Sequence, residues 1–474
     1  MYQKANRAQL SLEEFSLPFG GHLSAENRWV KLAKLMPWDM VEDIYAESFK
    51  NATTDGRPPL SARIAFGAIF IKEKENLTDR STVEHIAENA YMQFFLGLSE
   101  FRQEPLFDAS MMVHFRVRFP AEKVNLINEE LYRRLNPPKP PDDGGNDGTM
   151  ILDATATPAD IRYPTDLSLL NECRENTEKI LDEVWDATGR IGRRFAYHRK
   201  SARAKYLKIA KQRKPRMKQI QRAIKEQLSY VEKNLEALDN LSDEEVVALE
   251  KKHWERLYTI RKVWTQQMTM MQSQSRTIED RIVSLRQPHV RPIVRGKTRS
   301  PVEFGQKMTV SVVNGYTFIE KQSWSNFSEG KTLIESVERY KARHGVSPAV
   351  ILADRTYRNR ENLSFCKQNG IRLSGPRLGR PKVEELEADR EQAYQDNCER
   401  NMVEGRFGIG KRRYGLDLIK AMLAITAETE VALNVLAMNM AHLLRVFLRL
   451  FFEGSVKQSI IGVFAIKNWG LAGL

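Results

Sequence analysis

The stretch at residues 308–320, MTVSVVNGYTFIE, decides the fold class. Two runs of β-branched and aromatic residues flank Asn314-Gly315, and that pair supplies the two positive-φ positions a type I′ turn needs, so the segment reads as a β-hairpin. Further along, residues 329–344 have helical spacing closed by Gly345, and residues 349–353, AVILA, form a short apolar run ending at Asp354. Upstream, residues 150–154 form another apolar run that contains Asp153. Hairpin, helix and apolar run in this order predict an α/β (mixed) sheet with crossover helices.

Between the first apolar run and the hairpin lies a charged helical insertion, residues 167–288. Ser242-Asp-Glu-Glu245 fits a capping box near its middle and separates two helical stretches, 197–238 and 243–285. The expectation is a long antiparallel helical hairpin. Leu228, Val231, Leu235 and Leu238 give the first arm an apolar seam, and Pro215 should kink or break that arm.

The chain has 74 Lys plus Arg against 61 Asp plus Glu, a net charge of +13. Residues 190–225 alone hold fifteen Lys/Arg and no acidic residue, so the remainder is slightly acidic. Such concentration points to a polyanion, because each neutralised phosphate releases condensed counterions. Arg193, Arg194, Arg199, Lys200, Arg203, Lys205, Lys208 and Lys211 are the expected phosphate contacts. Trp324, just past the hairpin, is either a core residue beside a strand or a platform for an unpaired base.

Residues 136–148, NPPKPPDDGGNDG, hold four prolines and three glycines and read as a linker. Before it, residues 1–135 read as a helical N-terminal domain. Its signals are an apolar stretch over 60–71, a capping box at Ser81–Glu84 and a third helix from Asp108 that carries His114, Arg116 and Arg118. Three short helices with a basic last one resemble a helix-turn-helix module, which makes Arg116 and Arg118 candidate DNA contacts. The expected map is a helical DNA-binding domain (1–135), linker (136–148), first part of a catalytic core (149–166), helical-hairpin insertion (167–288), remainder of the core (289–428) and C-terminal helix and tail (429–474).

Several chemistries are excluded. Cys173, Cys366 and Cys398 have unrelated spacings and form neither a disulfide framework nor paired zinc ligands; there is no HExxH pair and no phosphate-loop spacing. The N-terminus lacks an apolar signal core, and the most apolar stretch, 431–452, carries His442, Arg445 and Arg449, so neither secretion nor a membrane span is expected. A cytoplasmic, nucleoid-associated protein is the expectation.

Asp153 lies in the first strand and Asp354 just past a buried one, and the ends of neighbouring strands bring distant parts of a chain together. Glu404 follows Arg400 by four residues and precedes Lys411 by seven, which puts all three near one helical face. Together, Asp153, Asp354 and Glu404, with Arg400-x3-Glu404-x6-Lys411, resemble the DDE transposases of bacterial insertion sequences, relatives of retroviral integrases with a ribonuclease-H-like core. Residues 58–98, PPLSARIAFGAIFIKEKENLTDRSTVEHIAENAYMQFFLGL, and 107–119, FDASMMVHFRVRF, look like the helical domain that precedes that core. The group signature has Tyr three residues before its Arg; Asn397 stands there in this chain.

The resemblance implies cleavage of phosphodiester bonds at element ends and their joining to target DNA. It implies two Mg²⁺ ions, with Mn²⁺ as a substitute, held by Asp153, Asp354 and Glu404, while Arg400 and Lys411 act on Glu404 or on phosphate. Double-stranded DNA and a homodimer in the synaptic complex are the implied partners. The rival readings are a nuclease with the same core and no joining step, and a DNA-binding protein derived from a transposase.

Overall fold

The computed structural model describes residues 2, 4, 11–49, 58–140, 145–189, 195, 198–247, 249–294, 302–375 and 386–469. Arg193 and Arg194 lie outside the described residues. Two compact units emerge. The first comprises residues 1–157, 308–322 and 328–474, and the second residues 158–307 and 323–327.

The first unit opens with seven helices: α1 (Arg28–Leu35), α2 (Trp38–Glu47), α3 (Ala62–Glu75), α4 (Asp79–Glu88), α5 (Ala90–Phe95), α6 (Met111–Arg118) and α7 (Ala121–Leu135). Thr78, rather than Ser81, caps α4: its hydroxyl accepts the Ser81 N–H at 3.1 Å, so the helix starts a turn earlier than its capping-box pattern predicts. Phe66, Phe70, Phe94, Phe95, Phe115 and Phe119 are all essentially inaccessible and form an aromatic core.

After α7 the described ends of the Pro/Gly segment are docked on the chain around Gly345. The Lys139 N–H donates to the His344 carbonyl and the Asp147 N–H to the Ser347 carbonyl, each at 2.9 Å. Gly345 is required here: its φ is +80°, and a Cβ would stand 2.2 Å from the Lys139 carbonyl oxygen.

Strand β1 (Thr149–Pro158) follows, and the insertion then supplies α8 (Asp166–Ala187), α9 (Arg199–Ala210), α10 (Met217–Asp239), α11 (Asp243–Val247) and α12 (Lys251–Gln272). The chain returns through β2 (Arg291–Val294), β3 (Val302–Val313) and β4 (Tyr316–Ser323). It closes with α13 (Leu333–His344), β5 (Val350–Ala353), α14 (Arg360–Gln368), β6 (Arg372–Leu373), α15 (Leu386–Arg413) and α16 (Ala424–Trp469).

The hairpin forms as its Asn-Gly pair predicts, with φ of 51° at Asn314 and 81° at Gly315. In the first unit the strands follow the order β4-β3-β1-β5-β6, with β5 parallel to both β1 and β6. In the second unit β2 pairs antiparallel with residues 302–305. The fold is therefore mixed α/β with a helix-rich N-terminal portion. The C-terminal helix packs into the first unit: Val431, Leu433, Val435, Leu436, Met438 and Met440 are buried, and α16 packs on α3, α6 and α7. The N-terminal helices thus share one core with the segment expected to trail behind the sheet, because their apolar faces need α16 to cover them.

The insertion departs from a two-armed hairpin. Pro215 breaks the first arm into α9 and α10, as expected of a residue with no N–H to donate. The apolar seam of α10 packs on α8 as well as α12, so Cys173, Ile180, Leu181, Val231, Leu235, Ile260 and Val263 fill the core of a helical bundle. Ser242 and Glu245 do make their capping box, through hydrogen bonds of 2.8 and 3.4 Å. Among the described residues no helix is long and apolar enough to cross a membrane.

Candidate active site

Parallel pairing of β1 and β5 aligns Leu152 with Ala353, so the next residues along the two strands are Asp153 and Asp354. Both carboxylates therefore stand where β5 ends, and the carboxyl ends of parallel strands are the usual ligand-binding edge of an α/β sheet. The local hydrogen bonds are modest: Asp153 Oδ1 accepts the Ala154 N–H at 2.8 Å, and Asp354 Oδ1 caps the following 3₁₀ turn at the Arg355 N–H. Asp354 is half-exposed and Asp153 more enclosed.

Arg400, on α15, places a guanidinium nitrogen 3.8 Å from Asp354. Burial pushes the Asp153 carboxyl above the usual range; Arg400 opposes that shift, and the negative charges of Glu329 and Asp354 add to it. Crowded, partly desolvated carboxylates of this kind are a donor set suited to a hard divalent cation, which would relieve their mutual repulsion.

Glu329 carries no sequence signal beyond that of an acidic residue in a helix's first turn. Its turn (Glu329–Thr332) is locked against the loop after Asp354. The Asn362 side-chain amide donates at 2.7 Å to the carbonyls of both Gly330 and Tyr357, and a Cβ on Gly330 would meet the Thr356 carbonyl at 2.5 Å. The Tyr357 ring is fully buried in that corner, and its hydroxyl is pushed up by burial and by the charges of Glu329 and Asp153.

The helix α15 runs through Gly405, Gly408 and Gly410 without ending. Val403 and Gly410 are buried, and the guanidinium of Arg406, also buried, meets the His442 ring at 2.9 Å. Lys411 Nζ donates to the Ala156 carbonyl of β1 at 3.1 Å, so this cation also turns toward the sheet. Glu404 is exposed. Among the described residues no group of three His, Cys, Asp or Glu side chains is close enough to hold a metal ion. The structure brings together Asp153, Asp354 and Arg400, and Glu404 lies on α15 about one turn beyond Arg400.

The candidate DNA contacts fall into distinct groups. Arg116 is buried, and its guanidinium makes a bidentate pair with Asp79 at 2.8 and 2.7 Å; it holds α6 to α4 and is not available to phosphate. Arg118 stays at the surface, stacked 3.7 Å over the Phe49 ring. Arg199 is engaged by Asp182 at 2.5 Å. Lys200, Arg203, Lys205, Lys208 and Lys211 are exposed. Trp324, partly buried, packs edge-on against His289, beside a small cluster of Ala159, Val283 and Val290.

Two family models match the chain. Residues 18–118 match the model described as a transposase domain (DUF772), and residues 351–441 match the model described as a transposase DDE domain. The second range contains Asp354, Arg400, Glu404 and Lys411; Asp153 lies before it. Neither the curated proteins nor the solved structures include a match to this chain.

Proposed function

We propose, for a chain that its two matches place among the DDE transposases of insertion-sequence type, that Asp153, Asp354 and Glu404 form the site that cuts phosphodiester bonds at element ends and joins them to target DNA. The observation that carries this reading is the adjacency of Asp153 and Asp354 on parallel strands, with Arg400 reaching the pair. A central strand bearing one aspartate beside a parallel strand bearing the other also supports a ribonuclease-H-like core.

Glu404 enters through helix geometry. At 3.6 residues per turn, Glu404 and Lys411 project within about 40° of Arg400 along one stripe of α15. One end of that stripe meets Asp354 and the other the Ala156 carbonyl, so Glu404 lies between two residues already turned toward the site. In this reading Asp153 and Asp354, joined by Glu404 when cations bind, would hold two divalent cations, Mg²⁺ by the hardness of the oxygen donors. When bound, such ions stabilise the attacking and leaving oxygens of an in-line phosphoryl displacement. Arg400 restrains Asp354 and offers donors to a phosphate, and Lys411 fixes α15 against β1.

Nicking of duplexes that carry the DNA flanking this gene, with and without Mg²⁺, tests the reading. Asp153→Asn, Asp354→Asn and Glu404→Gln should each abolish cleavage while end binding persists, because each removes a cation ligand and little DNA surface. Cleavage at the wild-type rate in any one of them removes that residue from the site, and a strand-transfer product separates a transposase from a nuclease.

A further inference from the structure

The elbow between α9 and α10 carries charge that the bundle does not use. Residues 200–225 contain no carboxylate of their own, and three of their cations, counted with Arg199, are paired with carboxylates from elsewhere in the chain or from the next turn. Arg199 is neutralised by Asp182 at 2.5 Å, while Lys205 and Arg222 share Glu226 at 3.5 and 3.3 Å. Lys208, Lys211, Arg213, Lys214, Arg216 and Lys218, by contrast, are all exposed, and among the described residues none has a carboxylate within ion-pair distance.

These six occupy eleven consecutive residues. The backbone that presents them is fixed locally. The first helix ends at Ala210, Pro215 forbids its continuation, and α10 restarts at Met217, where the Gln219 side chain accepts the Arg216 N–H at 3.0 Å. Below the elbow the two helices are pinned by the Gln227 amide donating to the Ala202 carbonyl at 3.1 Å, with Ala202 and Ala223 buried. Six like charges in so short a stretch raise a positive potential that an anion would screen.

We infer that this elbow grips the phosphate backbone of duplex DNA without reading its sequence, an inference that rests on the reading of the chain as an enzyme of DNA. Lysine and arginine tips on a turn meet phosphates more readily than base edges. Duplex is favoured over single strands because no aromatic residue lies between Tyr206 and Tyr230 to stack on an unpaired base. A lipid surface is disfavoured because Met217 is the one large apolar side chain strongly exposed at the elbow, too little for an interfacial face.

The test uses the full chain in EDTA, so that binding is read without cleavage, on a random-sequence duplex and a single strand of equal length over a series of salt concentrations. Changing all six cations to Gln should flatten the dependence of log K on log[salt] by roughly 5 units, at about 0.9 for each phosphate that is no longer neutralised. The pair Lys211→Gln with Lys214→Gln should remove roughly 2 units, and serves should the six-fold variant misfold. Arg199→Gln should lower the melting temperature and leave the slope alone, since its partner is Asp182. A folded six-fold variant with the wild-type slope overturns the proposal; if its sedimentation also changes, the elbow joins protomers instead. Wild-type protein that fails to bind duplex at all would instead sink the reading of the chain as a DNA enzyme.

Discussion

Arg116 and Arg118 stand two residues apart in FRVRF and have opposite environments. Arg116→Ala should cost about 3 kcal/mol in denaturant unfolding, because it strips the partner from a largely buried ion pair. Arg118→Ala should change stability by less than about 1 kcal/mol, as expected of a surface contact. A second residue-scale prediction concerns Glu73, buried beside Lys72 and near Glu430. Burial and the Glu430 charge push its carboxyl up to about 7, against the pull of Lys72. A carboxyl raised on folding binds its proton more tightly in the native state, so its stabilising contribution is full below about pH 4.5 and is lost as pH rises through 7. Unfolding free energies across that window should therefore decline in the wild type by at most a few kcal/mol and decline less in Glu73→Gln. Equal slopes would show that Glu73 stays ionised throughout. Sequence could not separate these cases: two arginines on one short helix look alike until α4 supplies an aspartate to one of them.

The elements show where local signals suffice. Asn314-Gly315 makes its turn because φ preference is a property of the two residues themselves, and Gly315 is further required by a close approach, since its Cβ would lie 2.7 Å from His442. Strand β4, at the end of the strand order, is protected by side chains from elsewhere. The Thr317 N–H donates to Asn439 Oδ1 at 2.9 Å, the Thr317 carbonyl accepts from Asn439 Nδ2 at 2.7 Å, and Asn128 Oδ1 accepts from the same amide at 2.9 Å. Asn439→Ala should cost about 1 to 3 kcal/mol, because it leaves buried backbone groups of the strand unpaired. A loss below about 0.5 kcal/mol by chemical denaturation would mean that water replaces the amide. No periodicity in α16 announces this role; Asn439 reads there as a polar interruption of an apolar helix.

At the scale of the molecule, the two units make different demands on the chain. The second unit has its own core in α8, α10 and α12, so residues 158–307 expressed alone should give a helical circular dichroism spectrum and a cooperative melt. The N-terminal helices lack that independence. A chain cut after residue 423 removes α16 and the buried residues Val431, Leu433, Leu436 and Met440, and should fail to melt cooperatively and bind a hydrophobic dye. Residues 1–135 alone should fail in the same way, whereas a cooperative melt from either would show that the helices close their core without α16.

The sequence by itself determined the features that depend on neighbouring residues: the Asn-Gly hairpin, the helix ended by Gly345, the break at Pro215, the cation run of 190–225 and the strand that ends at Asp354, whereas the strand that carries Asp153 runs on to Pro158. These are local because φ preferences, capping and alternation act over a few residues. Only the tertiary structure decided the rest: that α16 fills the N-terminal core, that the insertion is a bundle, that Arg116 and Arg199 are held by carboxylates while the elbow cations are not, and that Glu329 stands near Asp153. Each of these depends on which distant residue comes within a few ångströms, a distance fixed by the packing of whole faces and written in no single stretch of the chain.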